Sequence, residues 1–216
     1  ESKMELEGQE VAVEQISQLP WSGGVRLNIN PERETHFSLR IRIPGWAGDR
    51  PVPSDLYSFT KEPIHPTRIH VNGEKINYHL EKGYAVIERT WSAGDVAYVE
   101  FPFEVRKIVS HPKVVHNAGR IALQAGPIVY CTEGIDYNGK ANHLLLEEGQ
   151  PFELAYEKDL LQGILTINGK ALTLEEKEDG STVEHSVNFK AIPYYAWANR
   201  GGSQMLVWLP EERRAA

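Results

Sequence analysis

The stretch FSLRIRIPGW (37–46) sets Phe37, Leu39, Ile41 and Ile43 in alternation with Ser38, Arg40 and Arg42. Successive side chains of a strand point to opposite faces, so the segment predicts a strand with one buried and one wet face. Antiparallel sheets that face water on one side carry this pattern. Upstream, VRLNIN (25–30) repeats it, with Val25, Leu27 and Ile29 on one face and Arg26, Asn28 and Asn30 on the other. Downstream, YAVIERTW (84–91) and VAYVEFPFEV (96–105) are rich in β-branched and aromatic residues. Their connection, Ser92-Ala93-Gly94-Asp95, predicts a hairpin.

Asn-Gly pairs at Asn72-Gly73, Asn138-Gly139 and Asn168-Gly169 strengthen the all-β reading. Both central residues of a type I′ turn need φ > 0, which Asn and Gly tolerate best. The first and last pairs lie between strand-like runs and so predict hairpins. Only ELAYEKDLLQ (153–162) has helix-friendly composition, enough for one or two turns. RPVPSDLYSFTKEPIHP (50–66) is too rich in proline for interior strands and reads as a long loop. The first run of strands ends at Ser110-His111-Pro112, and GRIALQAGPIVYCTE (119–133) opens a second. The expected architecture is two antiparallel, jelly-roll-like β-sandwiches. The late segment MLVWL (205–209) reads as a final strand of either one.

Composition narrows the function. The 216 residues carry a net charge of −7 with no Lys/Arg block, whereas phosphate-backbone binding needs a basic stripe. Nucleic acid is therefore not an expected partner. No apolar run approaches the ~20 residues that span a bilayer, so no membrane is expected either. The single cysteine, Cys131, precludes an internal disulfide and any zinc site built from several of the chain's own thiolates. Its setting in PIVYC reads as that of a small buried hydrophobe. The compartment, periplasm or cytosol, stays open.

Chemistry-bearing residues form no recognisable constellation. The eight histidines make no H-x-H or H-x-x-x-H pair, so no metal site is expected. Thirty Asp and Glu residues guarantee accidental carboxylate pairs of glycosidase spacing, which deprives any one pair of specificity. Aromatic residues are the remaining candidates. Trp91 and Trp208 sit within strand patterns and read as core. Trp21, Tyr194, Tyr195 and Trp197 sit in loop contexts, where large rings serve either inter-domain packing or stacking on sugar rings.

Five strings occur in a fixed order: LRIRIPGWA (39–47), VNGE (71–74) with GYAVIERTWSAGD (83–95), GRIALQAGPIVYC (119–131), and AIPYYAWANRG (191–201), after an upstream LPWSGGVRLNI (19–29). Together they resemble the carboxy-terminal region of glycoside hydrolase family 127, which includes bacterial β-L-arabinofuranosidases. The resemblance spans nearly the whole chain. It implies that an (α/α)6 barrel, not contained in this sequence, carries catalysis, with zinc bound there by cysteines. It also implies a second sandwich inserted in the first, at 8–112 and 191–212 for domain I and 113–190 for domain II. No catalytic residue and no cofactor is carried over to this chain, since Cys131 matches the GPIVYC segment and not the catalytic motif. The resulting expectation is a non-catalytic β-sandwich module packing on its own helical barrel, with homo-oligomer contacts open. The alternative is a carbohydrate-binding module that reads plant-type glycans through exposed aromatics.

Overall fold

A computed structural model describes residues 1–212 of the chain. The fold is all-β: strands are joined by turns and short 3₁₀ segments, and no α-helix forms among these residues. Two compact units share the chain. The first comprises Glu1–Asp49 and Pro63–Phe103, and the second comprises Arg50–Glu62 and the chain from Glu104 onward.

In the first unit, β1 (Ser2–Leu6), β2 (Gln9–Ser17), β3 (Gly24–Pro31) and β4 (Thr35–Arg42) come before the excursion into the second unit. There follow β6 (Arg68–Val71), β7 (Glu74–Lys75), β8 (His79–Glu81), β9 (Tyr84–Trp91) and β10 (Asp95–Glu100). They form a six-stranded sheet, β1-β2-β3-β10-β6-β7, and a three-stranded sheet, β4-β9-β8. The alternation read in the sequence sets which side chains go inward. Val25, Leu27 and Ile29 of β3, with Val71 of β6 and Val99 of β10, share one core with Ala85, Ile87 and Trp91 of β9. Phe37, Leu39 and Ile41 of β4 pack against it. Trp91 is fully buried, and its indole nitrogen donates to the Phe37 carbonyl at 3.1 Å, so the largest core ring leaves no polar atom unpaired.

Two turn expectations part here. Asn72-Gly73 does form the β6–β7 hairpin, with φ of 53° and 85°. Ser92–Asp95, in contrast, closes no hairpin, because β9 pairs with β4 and β8 while β10 pairs with β3 and β6. This turn carries the chain from one sheet to the other. The Asp95 carboxylate accepts from the Ser92 amide and the Asn72 side-chain amide, both at 2.9 Å, and these bonds hold the corner.

The second unit contains β5 (Tyr57–Phe59), β11 (Val105–Ser110), β12 (Arg120–Ala125), β13 (Ile128–Glu133) and β14 (Leu144–Glu147). It continues with β15 (Glu153–Glu157), β16 (Ile164–Glu176), β17 (Thr182–Pro193), β18 (Met205–Leu206) and β19 (Leu209–Glu212). Pairings run β13-β17-β16-β14-β19-β12 and return to β13, a closed circuit of six strands. Leu123, Tyr130, Leu146, Ile167, Phe189 and Leu209 fill its interior. All pairings are antiparallel except β14 with β19.

This circuit corrects the expected domain boundaries. Residues 191–212 do not complete the first unit, since Ile121 pairs with Leu209 and Leu146 with Glu211. Without β19, β12 and β14 would each present an unpaired edge, and closure removes both. MLVWL is also not one strand, because Val207 and Trp208 bend between β18 and β19. Half-buried Trp208 packs on Tyr57 at a centroid distance of 5.4 Å and lies outside the core. The proline-rich segment is a loop for most of its length. Its strand β5 pairs with β11, and the Arg106 guanidinium lies 3.3 Å from the Phe59 ring centroid. ELAYEKDLLQ supplies β15, paired with β16, where helical turns were expected.

Asn168-Gly169 also departs from the hairpin expectation. It lies within β16, paired with Lys190 and Phe189, and makes no turn. A Cβ on Gly169 would sit 3.0 Å from both the Phe152 ring and the Pro151 carbonyl oxygen. The glycine admits a neighbouring chain to the strand, the other use of a glycine in a β segment.

Candidate functional site

Strand β17 ends at Pro193, and residues Tyr194–Ala196 form one 3₁₀ turn. Ala196 is buried and pins the turn, which leaves the rings on either side exposed. Tyr194 and Trp197 stack with centroids 6.2 Å apart and planes within 10° of parallel. They are 47% and 43% exposed, and Tyr195 between them is 55% exposed. Large rings are rarely left out in a group without a partner to cover them.

The loop is held from beneath. Glu133, at the end of β13, is fully buried. One of its oxygens accepts from the Ala198 amide at 2.9 Å, and the other accepts from Arg200 Nε at 2.8 Å. The Arg200 guanidinium also donates in bidentate fashion to Asp136, at 2.9 and 2.6 Å. Paired charge-assisted bonds of this kind fix geometry as well as supply energy. Ala198 takes φ of 66°, and the Asn199 side-chain amide donates to the Ala196 carbonyl at 3.1 Å. The exposed rings therefore sit on a rigid base.

Among the expected residues, Tyr194, Tyr195 and Trp197 come together on this loop of the second unit. Trp21 lies in the first unit, on the β2–β3 connection, where its amide donates to Gln18 and its ring is 48% exposed. Sequence reading missed Glu133, Asp136 and Arg200. The available signal was a glutamate at the end of the apolar run IVYCTE, but its partner lies 67 residues further along the chain.

No three His, Cys, Asp or Glu side chains among the described residues are placed to hold a metal ion. Cys131 is fully buried, and burial, with Glu133 nearby, pushes its thiol up to about 12. A thiol so disposed is neither a ready ligand nor a nucleophile. Among the described residues, then, no donor set fits the zinc that the family resemblance implies.

Residues 1–103 match the β-L-arabinofuranosidase GH127 middle domain, and residues 105–210 match the glycoside hydrolase family 127 C-terminal domain. The junction between the two matches falls at the last crossing between the structural units, from Phe103 to Glu104, while residues 50–62 lie in the first match and in the second unit. A non-reducing end β-L-arabinofuranosidase of Bifidobacterium longum is 29% identical over 215 residues, covering 92% of this chain and 30% of that protein. The crystal structure of a GH127 β-L-arabinofuranosidase from Geobacillus stearothermophilus superimposes with a TM-score of 0.84 at 37% identity. That match covers 98% of this chain and 32% of the other. A further GH127 β-arabinofuranosidase structure gives 0.89 at 35% identity, over 98% and 33%.

An all-β pair of units of this kind, matched to the later domains of much longer enzymes, defines a β-rich region of a glycoside hydrolase. The chain belongs to glycoside hydrolase family 127 and carries that family's middle and C-terminal domains. It spans about a third of the length of the relatives it matches.

Proposed function

We propose that this chain is a non-catalytic module that packs on and supports the helical catalytic barrel of a β-L-arabinofuranosidase-type glycoside hydrolase. One observation carries the reading: Tyr194, Tyr195 and Trp197 are held out in solvent by a rigid ionic base, as a surface built to be covered would be. Burying one such ring contributes about 2 kcal/mol, at ~25 cal/mol/Å² over part of its area. The buried, protonated Cys131 and the lack of a convergent metal-ligand set among the described residues support placing catalysis elsewhere in the whole protein.

Two measurements test this. The purified chain, with or without added zinc, is expected not to hydrolyse p-nitrophenyl β-L-arabinofuranoside, and turnover abolished by a substitution in this chain overturns the reading. The chain should also co-purify with a helical barrel from a family 127 relative and lose that association in Trp197→Ala. The parallel stack of Tyr194 and Trp197 favours a second reading, direct stacking on a glycan. Submillimolar binding of arabinose-containing oligosaccharides that Trp197→Ala abolishes would establish that alternative.

A further inference from the structure

The outer face of the six-stranded sheet holds a second aromatic surface, distinct from the loop above. Tyr98 of β10 pairs with Arg26 of β3, while Glu100, two residues on, pairs with Gly24. The Tyr98 side chain leans diagonally over Gly24, so that a Cβ at Gly24 would meet the Tyr98 hydroxyl at 2.8 Å. Any other residue at 24 would lift the ring. The glycine lets the ring lie along the sheet, 42% exposed.

The ring lines a cleft of about 360 Å³ with Gly24, His65, Arg68 and Glu100. Arg68 and Glu100 lie 3.8 Å apart at closest approach, attracted but too far apart for a hydrogen bond, so donors and acceptors remain for a ligand. His65 Nδ1 lies 3.3 Å from the Arg68 guanidinium, which orients the imidazole at the rim.

The geometry points to a binding site for a neutral sugar residue in this cleft, with one ring face stacked on Tyr98 and vicinal hydroxyls shared between Arg68 and Glu100. Three observations select that class. The flat aromatic face suits the apolar face of a sugar ring. A guanidinium donor beside a carboxylate acceptor matches a diol, in which each hydroxyl both gives and accepts. The carboxylate repels phosphate and carboxylate ligands, and the single cation gives an acidic ligand no net attraction. The volume lies near the lower end of the ~300–1,000 Å³ range of ligand sites, enough for one or two sugar units.

This site belongs to the first unit and stands independently of the barrel-docking reading. Isothermal titration of the 216-residue chain with short oligosaccharides of L-arabinose, D-xylose or D-glucose tests it. At least one should bind with a dissociation constant of about 1 mM or tighter. Tyr98→Ala should weaken it about tenfold or more, and Arg68→Ala likewise. Gly24→Val, whose only close neighbour is the movable end of Tyr98, keeps the fold by circular dichroism and should show the same loss. Trp197→Ala should leave binding unchanged. No binding of any of these sugars up to about 10 mM, or binding indifferent to both Tyr98→Ala and Gly24→Val, overturns the proposal.

Discussion

Glu133 and Arg200, 67 residues apart in sequence, meet as a buried ion pair with 2.7 Å between Arg200 Nη2 and a Glu133 oxygen. Glu133 has no exposed surface, and the Arg200 side chain is only 13% exposed. The pair joins the end of β13 to the loop that bears Tyr194 and Trp197. Structure and candidate function thus meet at one bond.

Removing one partner of such a pair strands the other charge in a low-dielectric site. Arg200→Met is therefore expected to destabilise the chain by about 3–5 kcal/mol, whereas the double change Glu133→Gln with Arg200→Met should recover much of the loss. Urea unfolding of the single and double variants measures both. Equal stability of the single variant and the parent chain would show that Glu133 finds other partners.

Burial of titratable groups in the second unit predicts a definite pH dependence. Burial pushes Cys131 from 9.0 and Tyr137 from 10.0 up to about 12. Below pH 9 both groups keep their protons in the folded and unfolded chains, and their contribution to stability is whole. Between about pH 9 and pH 12 the unfolded chain releases protons that the folded chain still holds, so stability falls as pH rises. Cys131 adds a slope of up to about 1.4 kcal/mol per pH unit across that window, and Tyr137 adds as much from about pH 10 upward. Cys131→Ala should flatten the onset near pH 9, and denaturant unfolding from about pH 8 to about pH 11 reads the change. Ellman's reagent should leave the native thiol untouched at pH 8 and modify it once the chain is unfolded. Cys131→Ser places a hydroxyl in an apolar site and should cost about 1–3 kcal/mol.

The Asn-Gly pairs at 72–73 and 168–169 predict losses of different origin. Gly73, at φ of 85°, has open space around it, so Gly73→Ala should cost about 1–2 kcal/mol through backbone conformation alone. Gly169 lies within a strand against Phe152, so Gly169→Val should cost about 1–3 kcal/mol through overpacking. A further Phe152→Ala change should recover part of the Gly169→Val loss and none of the Gly73→Ala loss. Double-mutant unfolding cycles decide it.

These pairs also show how far the sequence was legible. Alternation along β3 and β4 announced the inward faces, because period two is a local property of the chain. The turn at Asn72-Gly73 was equally local. The sequence could not show whether β9 and β10 share a sheet, because a four-residue connection serves a hairpin and a corner alike. Nor could it show where β19 goes, since closure depends on edges left open by β12 and β14, more than 60 residues earlier. The exposed rings at 194–197 were visible as a cluster in loop context. Their base was not, because an ion pair between Glu133 and Arg200 leaves no periodic trace.

Tyr194 and Trp197 cover each other on one side only, and each remains nearly half exposed. Removing Trp197 takes little from the core, so Trp197→Ala should change unfolding stability by less than about 1 kcal/mol. If these rings are built to be covered, the isolated chain should hide them by associating with itself at high concentration. Sedimentation velocity should then show weak, concentration-dependent association of the parent chain, and Trp197→Ala should shift it toward monomer. Arg200→Met frees the loop from Glu133 and should weaken association as well, although it leaves every ring in place. An association that survives Trp197→Ala would put the contact on another surface, and the docking role of this loop would fall with it.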